Sequence, residues 1–156
     1  MNPAEIERWV GEFLEALGAQ KNCYEQMVKL AEAQKKCLLD RATDSLAKVM
    51  ELKQALADRL TGLEARVAAV RSRWPEIKVG ATADHRTRVN ALVDEVGPVL
   101  RRLLVLEQEA SEIATQIKDA AGADLRRLWE ARKAQSAYGS STTTPRDDPR
   151  FLDRSQ

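Results

Sequence analysis

The chain has 156 residues, with 25 basic and 24 acidic side chains and a formal charge of +1. That length holds one compact domain, or one domain with a tail, and the balanced charge supplies no global field for gripping nucleic acid or an anionic membrane. Aromatic residues make up only 4%, with 7 glycines and 5 prolines, which excludes a sheet-rich protein and predicts an all-α fold.

The first helix has a legible start. Asn2 is a candidate N-cap, Pro3 suits the first helical position, and Glu5 completes a capping-box arrangement. This start is unlike a secretory leader, and with no long apolar run in the chain it predicts a cytoplasmic location without membrane insertion. An apolar stripe then runs Ile6, Val10, Phe13, Leu17, Tyr24, Met27, Ala31 and Leu38, with Gln20 and Gln34 in the two missing slots. Steps of three and four keep these residues on one helix face. Gly18 weakens its middle and allows a local bend. Cys23 and Cys37 share this helix, about 21 Å apart by helical rise, too far for a disulfide. They read as reduced, small apolar residues.

The stripe loses phase at Asp40-Arg41-Ala42-Thr43-Asp44. This predicts a tight turn, with Asp40 or Thr43 as candidate caps, although a stutter within one long helix would also shift the phase. The second seam is Leu46, Val49, Leu56, Leu60, Leu63, Val67, Val70 and Trp74, broken only by Lys53. Lys53 reads either as a snorkelling register marker or as a charge offered to a partner helix. Pro75 is expected to end this helix, leaving residues 75 to 83 as a connection with Gly80 and Thr82 as turn and cap signals.

The third seam runs Val89, Leu92, Val96, Val99, Leu103, Leu106, Ala110, Ile113 and Ile117. It crosses Gly97-Pro98 without a change of phase, which predicts a continuous, kinked helix. Gly122 is expected to interrupt it. A further helix, Ala123 to Tyr138, carries Leu125, Leu128, Trp129 and Tyr138 as its large apolar residues, with Gly139 as its stop. The domain is expected to span 1–139, and the polar remainder, 140–156, to be a disordered tail whose apolar point is Phe151-Leu152. Together the seams predict an elongated antiparallel helical bundle with coiled-coil character.

Catalytic chemistry is hard to assemble from these residues, and the chain does not read as an enzyme. His85 is the sole histidine, the glycines are dispersed, and Cys23, Cys37 and His85 lack zinc-site spacing. No cofactor is expected. Basic doublets at Arg101-Arg102, Arg126-Arg127 and Arg132-Lys133 are diluted by Glu107, Asp124 and Glu130 and read as solvated faces rather than a nucleic-acid site. Beyond the regular seam, bulky apolar residues persist at Leu125, Leu128 and Trp129. They either pack on the bundle or form an amphipathic helix that docks a partner by its apolar face.

The stretch from Leu30 to Val70 resembles the FlgN family of flagellar export chaperones: a Leu-rich helix end, a short acidic turn, then Leu46, Val49, Lys53 and Leu56 followed by Leu60 and Leu63. The long third helix and the Tyr138-Gly139 ending are also similar. The resemblance implies a chaperone that holds the hook–filament junction proteins FlgK and FlgL before type III secretion and escorts them to the export gate or ATPase complex. It implies a C-terminal cargo-binding element, here about residues 110 to 139, with Leu125, Leu128, Trp129, Tyr138 and Ile117 as cargo-binding residues. A monomer or weak dimer is expected. A structural coiled-coil scaffold or tether is the competing reading.

Overall fold

The computed structural model describes residues 1–141, with side chains through 139. It contains three helices, α1 (Pro3–Leu39), α2 (Thr43–Gly80) and α3 (Ala83–Ser141), and no strand among the described residues. The chain divides into two units, residues 1–114 and 115–156. The first is an antiparallel three-helix bundle and the second carries the C-terminal part of α3.

α1 starts as its sequence directs. The Glu5 N–H donates to Asn2 Oδ1 at 2.8 Å and the Asn2 N–H to Glu5 Oε2 at 3.0 Å, with Pro3 as the first helical residue. It ends in a Schellman motif. The Ala42 N–H donates to the Cys37 carbonyl and the Arg41 N–H to the Leu38 carbonyl, with Arg41 at a φ of 52° where glycine is usual. The expected turn is therefore present and the single-helix alternative is excluded. Of the two candidate caps, Asp40 is one, at the C-terminus of α1, and Thr43 is not. α2 begins at Thr43, and its N-cap, Ala42, makes no side-chain cap hydrogen bond.

Helix directions follow from the pairs that cross between them. Arg66 reaches Glu15, Tyr24 reaches Glu64, and Gln34 reaches Lys53, so residue numbers fall along α2 as they rise along α1. Lys21 pairs with Glu95 at 2.9 Å and Lys35 with Glu109 at 2.8 Å. Both pairs join residues 74 apart in sequence, so α1 and α3 run parallel in constant register over two heptads.

The core has two apolar clusters. At the end where α2 meets α3, Ile6, Val10, Phe13 and Leu17 of α1 pack with Val67, Val70 and Ile77 of α2 and Val89 of α3. Phe13 and Trp74 stand 5.3 Å apart at a tilted angle, and the Arg73 guanidinium lies 4.9 Å over the Trp9 ring. Further along, Tyr24 and Ala31 pack with Leu103 and Leu106. The three sequence seams therefore are the buried faces.

Pro75 does not end α2, which continues to Gly80 and leaves only Ala81 and Thr82 as the connection. The proline forfeits one hydrogen bond to the preceding turn, but the segment beyond it buries Ile77 completely and Ala81 to 7% exposure. That burial outweighs the lost bond. Gly80 lies against the Ile6 Cδ1 methyl, which would have to swing aside to admit a Cβ there. Thr82 caps α3 by accepting the His85 N–H at 3.1 Å. α3 runs unbroken through Gly97-Pro98, as expected, and also through Gly122 and Gly139, neither of which takes a positive φ. Gly122 costs about 1 kcal/mol against alanine, and the alanines at 120, 121 and 123 sustain the helix around it. The Phe151-Leu152 pair lies outside the described residues.

Candidate functional site

Lys53 is the charged outlier in the second seam, and its charge is used inside the bundle. The residue is 9% exposed, and its ammonium donates to Gln34 Oε1 at 2.6 Å and to the Glu107 carboxylate. One residue from each helix thus meets at a single polar node. The reading of Lys53 as a charge offered to a partner is overturned, because both its acceptors are intramolecular.

The other polar candidates are likewise absorbed by the fold. Cys23 is buried and lies 3.5 Å from the Leu56 carbonyl, and burial pushes its thiol up. Cys37 is a free thiol, half-buried on the same helix. Tyr24 donates to Glu64 at 3.1 Å, and burial first, then this carboxylate, raises its phenol. Glu95 beside Lys21 raises that ammonium, while Lys35 holds Glu109 below the usual carboxylate range. His85 sits at the start of α3 with its Nδ1 buried and unpartnered. No group of three or more acidic, Cys or His side chains with metal-binding geometry occurs among the described residues. No helix among them is long and apolar enough to cross a membrane.

Shallow grooves flank α1 in the first unit. One, of about 380 Å³, lies between α1 and α2 and is lined by Leu30, Leu52, Ala55 and Leu56 with Gln26 and Lys29. Another, of about 570 Å³, lies between α1 and α3 around Val28, Pro98 and Val99. Sequence reasoning missed the first. Leu30 and Leu52 lie off the seams, and Leu52 is 57% exposed; leucines at off-seam positions are the signal that marks such a groove.

The second unit presents an apolar surface of bulky side chains. Leu125 is 56% exposed, Leu128 63% and Trp129 60%. With Arg132 they line a shallow concavity of about 230 Å³. Their spacing of three, four and seven residues puts all four on one helix face. Ile117 is half-buried, about 80° round the helix from Leu125 and close to the angular position of Leu128. Tyr138, 76% exposed, falls nine residues after Trp129 and so about 180° away from it on a regular helix. The five expected binding residues therefore form a stripe of four and a separate Tyr138. Burying one Leu or Trp of the stripe against a partner would contribute about 1–2 kcal/mol, allowing for the area already covered.

A protein-family model described as "FlgN protein" matches residues 1–144 of the chain. No curated protein and no solved structure matches it.

Proposed function

We propose, from the premise that this chain belongs to the FlgN family of flagellar export chaperones, that it holds hook–filament junction proteins of the FlgK and FlgL type in the cytoplasm before type III secretion. The observation that carries this reading is the exposed stripe of Leu125, Leu128 and Trp129 on α3. Three bulky apolar side chains on one helix face, with a shallow concavity between them, suit the apolar seam of an amphipathic helix.

Cargo of this kind carries terminal helices that self-associate when left bare, and covering them is the work of such a chaperone. The energetics suit capture followed by release. Three anchors at about 1–2 kcal/mol each only roughly match an association cost of at least about 4 kcal/mol, so they supply part of the affinity, the rest of the cargo contact supplies the remainder, and release stays accessible. Handover to the export gate or ATPase complex then follows without a large barrier.

The test is a pair of alanine substitutions. Leu125→Ala with Trp129→Ala in the full chain should weaken binding of purified hook-associated protein by about tenfold or more. Circular dichroism and the urea midpoint should stay within about 0.5 kcal/mol of the parent, since exposed positions contribute little to stability. Undiminished cargo binding would sink the assignment of the site, and so would melting of the whole chain. A permanent self-paired rod indifferent to axial flagellar subunits would replace the chaperone reading with a scaffold.

A further inference from the structure

The charges beside the exposed stripe point to the chemistry of the segment that lies on it. Each residue of an α-helix turns about 100° around the axis. With Leu125 as origin, Leu128 lies about 60° to one side and Trp129 about 40° to the other. Lys118 and Arg132 fall within about 20° of Leu125, inside the stripe. Lys133 and Arg126 follow at about 80° and 100°, on the Trp129 side. All four cations are exposed, and Arg132 lines the concavity with the two leucines and Trp129.

The opposite edge differs. Asp124 is its only charged residue, about 100° from Leu125, and it pairs with Arg127 at 3.7 Å. Asp119 and Glu130 stand further back, at about 120° and 140°, behind Arg126. The apolar stripe is therefore bordered along one edge by the cations Arg126 and Lys133, with the nearest carboxylates, Glu130 and Asp119, set behind them on the side away from the stripe. In composition the segment looks mixed; around its circumference it is polarised.

Resting on the docking reading above, we infer that the partner segment is an amphipathic helix whose apolar seam is flanked by carboxylates along one edge. A helix laid in the stripe brings its flanking residues beside Arg126, Arg132 and Lys133. Carboxylates there gain attraction and speed encounter, whereas a basic flank suffers like-charge repulsion during docking. The apolar anchors supply most of the affinity and the cationic edge supplies selection among otherwise equivalent greasy helices.

Two synthetic amphipathic peptides with the same leucine seam test this, one with Glu and one with Lys at the flanking positions, each titrated against the full-length chain. The Glu peptide should bind about tenfold more tightly at low ionic strength. The gap should shrink as salt is raised to about 0.5 M. The double variant Arg126→Glu, Lys133→Glu should reverse the order with its helical content unchanged. Equal affinities for the two peptides, or an order unaltered in the double variant, would overturn the inference while leaving the docking reading intact. Absence of binding by both peptides would overturn the two together. Preference for a duplex RNA oligonucleotide over the Glu peptide would also overturn the inference, by making the cationic edge a phosphate site.

Discussion

Lys53 shows how a single polar residue earns a place in an apolar seam. Its ammonium is held by Gln34 and Glu107, so it joins α1, α2 and α3 at one level. Such a node contributes less through its own strength than through the cost of breaking it. Glu107→Ala strands a buried cation and should destabilise the chain by about 1–3 kcal/mol. The double change Lys53→Met, Glu107→Leu should recover most of that loss, because a packed apolar replacement needs no partner. Urea midpoints for the two variants and the parent make the comparison. If Glu107→Ala proves as stable as the parent, the node has no structural role.

At the level of the helices, most boundaries were written in the local chemistry. The Asn2–Glu5 capping box, the break of phase at Asp40–Asp44 and the Thr82 cap each correspond to a hydrogen-bonding pattern that short-range chemistry dictates. Pro75 was misread because a proline signals only the bond it cannot make. What decides the boundary is burial beyond it, and Trp74, Ile77 and Ala81 continue the three-and-four spacing straight across. The same criterion reads Pro98 correctly. Removing the last turns should therefore be costly and relieving the proline should not. Ile77→Ala is expected to cost about 2–5 kcal/mol, since its side chain is fully buried. Pro75→Ala, at an exposed position, should stabilise by about 1 kcal/mol or more by restoring a helical hydrogen bond. Chemical denaturation of each variant checks both signs.

For the molecule as a whole, titrating groups set a stability plateau. Cys23, Tyr24 and Lys21 hold their protons more tightly in the folded chain than in the unfolded one. Their contribution is complete below the unfolded values, about 8.5 for the thiol and about 10 for the phenol and ammonium, and is lost as pH rises through the folded ones. Glu109 is shifted the other way; its contribution is present above about pH 4.3 and lost as pH falls through its lowered value. The urea midpoint should thus be flat between about pH 5 and 8 and decline on either side. Tyr24→Phe should soften the alkaline decline, and a midpoint that climbs above pH 8 would contradict the assignment. The functional surface was less legible than the fold. Leu125, Leu128 and Trp129 stood out because they persist where regular spacing stops. That Tyr138 lies on another face depends on α3 remaining helical through Gly122, and the cationic edge appears only when residues are placed around the helix axis, because doublets such as Arg126-Arg127 straddle two faces.

The parallel, fixed-offset pairing of α1 with α3 also constrains how this protein can change in length. Dropping one codon inside the paired stretch of α1 would shift Lys35 away from Glu109 and Gln34 away from Lys53 together, and would rotate the apolar face off its neighbours. Tolerated insertions and deletions are therefore expected at the exposed turn around Asp40 and Arg41 rather than at the buried Ala81 or within the stripe. Within the bundle they should come as matched seven-residue blocks, one in every helix.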